Sequence, residues 1–148
     1  MNFKFLKPAI GIVILLISIS CKVEPVPIEF GKDQCSFCVM NIVDKTHAAQ
    51  YVTKKGKQFK FDAIECMMND LTEKSELKLA FMLVSDYGNP GQMTDAKTAT
   101  YLISPEIKSP MGANLSAFSS VDKASEAQQN HTGKIYTWEA LQQKYSDN

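Results

Sequence analysis

The sequence predicts an α+β fold made of two small, related strand-strand-helix-strand units with antiparallel sheets. Three observations carry this. Short β-branched or alternating apolar runs recur along the chain and are closed by turn formers. Between them, apolar residues change to helical spacing. The order strand, strand, helix, strand occurs twice, more raggedly the second time, which favours antiparallel sheets with helices on one face.

The first unit opens at His47–Thr53, rich in β-branched and aromatic residues. Lys54-Lys55-Gly56 is a turn signal, and Lys57–Phe61 alternates polar and apolar residues, so the pair reads as a β-hairpin. Asp62 is placed to cap a helix, and Glu65 three residues on completes a capping-box pattern. Ile64, Met67, Met68 and Leu71 then give one apolar helical face. Leu79–Val84 is a continuous apolar run and reads as a buried strand, followed by the turn-rich loop Asp86–Gln92.

The second unit opens with a strand at Thr98–Ile103. Ser104–Ser116 is a long loop with Pro105, Pro110 and Gly112, and it carries Met111. Ala117–Ser119 is a short strand and Asp122–Gln129 a helix. After His131-Thr132-Gly133, Lys134–Thr137 is a strand and Trp138–Tyr145 a final helix.

Ahead of both units, Lys4 and Lys7 precede the apolar stretch Ala9–Ser20. That stretch is short for a membrane span, which takes roughly 20 apolar residues, and it fits a signal-peptide core. It ends at Ile19-Ser20-Cys21, which resembles a bacterial lipobox, although Ser18 stands where Leu is usual. Residues 1–20 are thus read as a lipoprotein signal peptide, with Cys21 as the lipidated first residue. Residues 21–30 include the proline-containing run KVEPVPIEF and read as an extended tether. Residues 31–148 form the domain, a length that suits one compact core.

Lys plus Arg and Asp plus Glu are both 16, so the formal charge is zero, and no basic stripe suggests nucleic acid. There is no nucleophile elbow and no Gly-rich phosphate loop.

The chemistry lies in Cys35-Ser36-Phe37-Cys38-Val39-Met40. Thiolate and thioether sulfur are soft donors and favour Cu(I) over hard cations. A zinc site would need further N/S ligands; there is no second Cys-x-x-Cys, and His47 and His131 are not paired at ligand spacing. Haem attachment would need His where Val39 stands. With Cys21 lipidated, Cys35, Cys38 and Cys66 remain, an odd number for a disulfide-stapled domain. A redox dithiol is the main rival, but the pair precedes the first hairpin instead of joining a strand to a helix.

Met40 and Met111 fall outside any periodic pattern, so packing explains them poorly. Met67, Met68 and Met82 fit a helix face or a buried strand, and Cys66 reads first as a buried inert thiol. Cys66 and Met67 are kept as secondary candidate ligands. Asp62 reads as a cap, and His47 and His131 as surface residues.

Cys-x-x-Cys-x-Met, then Phe59–Met68 (FKFDAIECMM), then Ser109–Ala113 (SPMGA) followed by Ala117-Phe118, occur in that order. This resembles the NosL family of copper-binding lipoproteins, accessory to nitrous oxide reductase, from about Cys35 to Gly133-Lys134. The resemblance implies two related strand-and-helix units. It implies an envelope-anchored metallochaperone, not an enzyme, which binds Cu(I) and delivers it to a cuproenzyme, nitrous oxide reductase, facing the periplasm. Cys38 and Met40 match the family's Cys-x-Met pair and Met111 its Pro-Met-Gly methionine. Members commonly have Gly where Val39 stands. Cys35 is then a further ligand, or a disulfide partner when no metal is bound. The implied partners are the copper-accepting reductase or its membrane maturation complex, and the membrane itself through the lipid. The alternative function is an extracytoplasmic thiol-disulfide oxidoreductase using Cys35 and Cys38.

Overall fold

The computed structural model describes residues 22–147. The signal segment and Cys21 lie outside the described residues. Among the described residues seven strands and three helices follow in the order β1 (Ala49–Thr53), β2 (Gln58–Phe61), α1 (Ile64–Glu73), β3 (Leu79–Ser85), β4 (Met93–Asp95), β5 (Thr100–Ile103), β6 (Leu115–Phe118), α2 (Val121–His131), β7 (Lys134–Tyr136) and α3 (Trp138–Ser146). The order strand, strand, helix, strand does occur twice, as β1-β2-α1-β3 and β5-β6-α2-β7.

The two units share a pairing rule. The first strand of each is central, flanked by its hairpin partner and by the strand after the helix: the sheets run β2-β1-β3-β4 and β6-β5-β7. All named strand pairs are antiparallel. Every residue of β1 is buried, and its polar Gln50 is satisfied by hydrogen bonds instead of water. β5 divides its side chains between two clusters. Tyr101 and Ile103 join the main core with Tyr51, Ile64, Met67, Leu115, Trp138 and Leu141. Leu102, one residue out of phase, joins Ile107, Phe118 and Ala124 of α2 on the other side.

Three expectations are corrected. β3 is not buried throughout: Phe81 is 37% exposed. The short strand β4, which the sequence reading did not anticipate, pairs only with Leu83–Ser85 and leaves the first half of β3 uncovered on that side. Asp62 does not cap α1; the N-cap is Ala63, with no side-chain cap, and both acidic residues of the expected box are engaged elsewhere. His47 is not at the surface but 2% exposed.

His47 helps to join the units. Its Nδ1 lies 2.8 Å from Asp44 Oδ2, and its Nε2 lies 3.1 Å from the hydroxyl of Ser116 in β6. Beside it, Tyr87 N–H donates to the Ala117 carbonyl at 2.8 Å. The carboxylate of Asp86, at the end of the first sheet, accepts from Ser119 and Lys123 of the second unit at 2.8 and 2.9 Å. Burial alone would raise the Asp86 carboxyl, but these bonds and that of Asn89 outweigh it and hold its pKa at about 2. One glycine is forced by close approach: at Gly133, φ +108°, a Cβ would lie 2.4 Å from the Ile103 carbonyl oxygen.

The segment before the domain is extended and lies on the first sheet. Gln58 Nε2 donates to Glu24 O at 2.9 Å, Gln50 Nε2 to Val26 O at 2.8 Å, and Lys60 Nζ to Pro27 O at 2.8 Å. Ile28 and Phe30 pack on the main core. No helix among the described residues is long and apolar enough to cross a membrane.

Candidate metal centre

The sulfur loop folds back on itself. Cys35 N–H donates to Met40 O at 2.8 Å, Val39 N–H to Cys35 O at 3.0 Å, and Ile42 N–H to Asp33 O at 2.9 Å. The reversal passes through Val39, whose φ of 65° is left-handed, a conformation disfavoured for a β-branched residue. β2 is the outer strand of its sheet, and the loop satisfies its free edge: Ser36 N–H donates to Lys60 O at 2.7 Å and Lys60 N–H to Ser36 Oγ at 3.1 Å. This docking sets Cys35 and Cys38 beside the junction where β2 ends and α1 begins.

That junction carries Asp62 and Cys66. The sulfurs of Cys35, Cys38 and Cys66 and a carboxylate oxygen of Asp62 all lie within 4.8 Å of one another. Cys38 Sγ donates to Asp62 Oδ1 at 3.4 Å. Cys35, Cys66 and Asp62 are 2%, 1% and 2% exposed, while Cys38 is half-buried and opens the cluster to the outside.

The thiols differ sharply in acidity. The Cys66 thiol donates to Cys35 and, with the backbone amides of Cys38, Asp62 and Phe37, outweighs burial and brings Cys35 down to about 6. Convergent backbone N–H groups of this kind form an anion nest. Cys66, as the donor to that sulfur, is pushed far up, with burial adding to the effect. Burial raises Cys38 to about 11, and the negative charges of Cys35 and Asp62 reinforce it. The cluster thus favours the thiolate at Cys35 and the protonated thiol at Cys38 and Cys66.

The structure therefore gathers Cys35, Cys38 and Cys66 and adds Asp62, whose position in the sequence suggests a helix cap. The signal in the sequence is that Asp62 lies four residues before Cys66, about one helical turn. Met40 and Met111 are placed at the surface, 53% and 43% exposed. Met67 is fully buried in the main core.

Met111 sits on a turn closed by Gly112 N–H to Ser109 O at 3.1 Å. The turn is tied to α1 by Glu65, whose Oε1 accepts from the Ser109 hydroxyl and, at 3.3 Å, from Ala113 N–H.

The sequence model of the NosL family matches residues 25–146, most of the chain. The chain belongs to the NosL family. A relative from Stutzerimonas stutzeri, named copper-binding lipoprotein NosL, is 28% identical over 128 residues, covering 81% of this chain and 67% of the relative. The crystal structure of the copper chaperone NosL from Shewanella denitrificans superposes with a TM-score of 0.69 at 19% identity, covering 80% of this chain and 95% of that one. At that identity the likeness concerns the fold: the two-sheet α+β architecture is the NosL fold. The NosL match begins at residue 25 and so takes in part of the segment lying on the first sheet.

Proposed function

We propose that this NosL-family chain is a Cu(I) carrier of the bacterial envelope, not an enzyme, and that it hands copper to a cuproenzyme, nitrous oxide reductase, or to the membrane complex that matures it. One observation carries the reading: three cysteine sulfurs and one carboxylate lie within 4.8 Å of one another beside a loop that exposes Met40. Soft sulfur donors favour Cu(I). Cys38 is the half-buried sulfur of the set, two residues from the exposed thioether of Met40, so it can belong both to the buried thiols and to an outer set of ligands to which this reading also assigns Met111. Exposed thioethers are ligands that an acceptor can displace one at a time, which suits release. The names of the two relatives agree with this reading.

Lipidation at Cys21 would anchor the carrier facing the periplasm. Because Glu24 O already bonds to Gln58, only about three residues, spanning roughly 10 Å, would be left between lipid and sheet. The copper loop would then work close to the bilayer surface.

Anaerobic titration of the reduced protein with Cu(I), against a chelator of known affinity, tests the proposal. About one Cu(I) per chain held in preference to Zn(II) is expected; tight zinc binding without Cu(I) uptake overturns it. Mass spectrometry of the native protein showing an unmodified Cys21 overturns the anchor.

The low pKa of Cys35 favours a second reading, a thiol-disulfide oxidoreductase. Burial argues against it: the acidic Cys35 is 2% exposed, while the more accessible Cys38 is raised to about 11. Fast insulin reduction that needs both cysteines and ignores Met40 and Met111 would reverse this judgement.

A further inference from the structure

The geometry points to Glu65 as the residue that positions Met111 for copper, an inference resting on the reading of Met111 as a thioether ligand. Met111 stands at the apex of Ser109-Pro110-Met111-Gly112 and is 43% exposed, so its own packing does little to locate it. The two feet of the turn do so instead. Glu65 Oε1 accepts from Ser109 Oγ on one side and from Ala113 N–H at 3.3 Å on the other. Ser109 Oγ in turn accepts from Asn114 N–H at 2.8 Å. One carboxylate oxygen thus draws both feet together.

Burial makes this arrangement costly as a mere fastener. Glu65 is 3% exposed, and its second oxygen, Oε2, is buried without a hydrogen-bond partner. An under-satisfied buried carboxylate opposes folding. Glu65 also directly precedes Cys66 on α1, so the bond that sets the Met111 turn starts one residue along the helix from a member of the thiol cluster. The position of the turn is therefore referred to the cysteines through a rigid helix, and the loop Ser104–Asn114 does not have to find the metal on its own.

A double-mutant cycle tests this on the full chain, reduced and anaerobic, by chelator competition for Cu(I). Met111→Ala is expected to weaken Cu(I) binding by about tenfold or more. Glu65→Ala should weaken it comparably, and the double variant should be no weaker than Met111→Ala alone. X-ray absorption should show one copper–sulfur contact fewer in Glu65→Ala, as in Met111→Ala. Glu65→Gln, which keeps an acceptor oxygen, should restore most of both signals. If Met111→Ala weakens binding and Glu65→Ala does not, or if the two effects simply multiply, the positioning role is wrong while the Met111 ligand stands. If Met111→Ala itself has no effect, the underlying ligand assignment has failed, and this inference fails with it. Should Glu65→Ala not fold, Ser109→Ala replaces it in the same cycle: loss of affinity only in the presence of Met111 supports the role, and unchanged affinity overturns it.

Discussion

The thiol of Cys38 donates to the carboxylate of Asp62 across 3.4 Å, joining a residue of the N-terminal loop to the residue that precedes the N-cap of α1. This bond removes Asp62 from the capping role its position suggests and places a negative charge beside the most accessible thiol of the cluster. Asp62→Asn should therefore lower the Cys38 pKa, by less than burial raises it, because burial is the larger cause. The alkylation rate of Cys38, followed against pH in the Cys35→Ser/Cys66→Ser background and compared with and without the change, reads this directly. An unchanged profile would mean that the charge of Asp62 is not felt at that sulfur.

Acidity differences set a bell-shaped stability profile for the reduced, metal-free protein. Cys35 titrates at about 6 in the fold against 9 for the free thiol, so between these values the unfolded chain binds more protons and stability rises with pH. It is lost again as pH falls through about 6. Cys38 is raised to about 11, so above pH 9 the folded state binds more protons and stability declines. Urea midpoints from about pH 6 to 11 should show both limbs, and Cys35→Ser should flatten the lower one.

Ligand and core methionines separate by what they disturb. Met40→Ala and Met111→Ala should weaken Cu(I) binding with little loss of stability, since both side chains are substantially exposed. Met67 is fully buried, and Met67→Ala should cost about 2–5 kcal/mol by urea unfolding. Met40 and Met111 variants that unfold readily yet keep full copper affinity would reverse the assignment.

The loop reversal at Val39 stores backbone strain, because its φ is 65°. Val39→Gly should stabilise the protein by roughly 1 kcal/mol, the left-handed penalty of an L-residue less the entropy glycine adds to the unfolded chain. Chemical denaturation is the measurement; a clear destabilisation would show that the Val side chain packs for a purpose.

His47 and Ser116 bolt the first unit to β6 at 3.1 Å, both almost fully buried. His47→Ala should destabilise by about 1–3 kcal/mol, the cost of leaving a buried polar partner unsatisfied. Copper affinity should stay unchanged, since this bond belongs to the sheet junction. A large loss of copper affinity at unchanged stability would contradict this.

Local periodicity determined much of this protein. Alternation in Lys57–Phe61 and the 3.6-residue spacing of Ile64, Met67 and Met68 reveal their elements without reference to the rest of the chain, because each pattern is a property of neighbouring residues. The repeated strand, strand, helix, strand order, the sulfur loop and the NosL resemblance were legible for the same reason. Tertiary structure alone decided the partners of Asp62, Glu65 and His47. Local sequence offered each a plausible nearby use, as caps for the first two and at the surface for the third. In the fold each serves a partner on another segment: Asp62 takes Cys38 from 24 residues away, Glu65 takes Ser109 from 44, and His47 takes Ser116 from 69. Burial is the physical cause, since a polar group withdrawn from water must bond to whatever the packed chain brings within reach. The short strand β4 escaped the sequence reading on similar grounds: three residues are too few to display a period, and only pairing with Leu83–Ser85 makes them a strand.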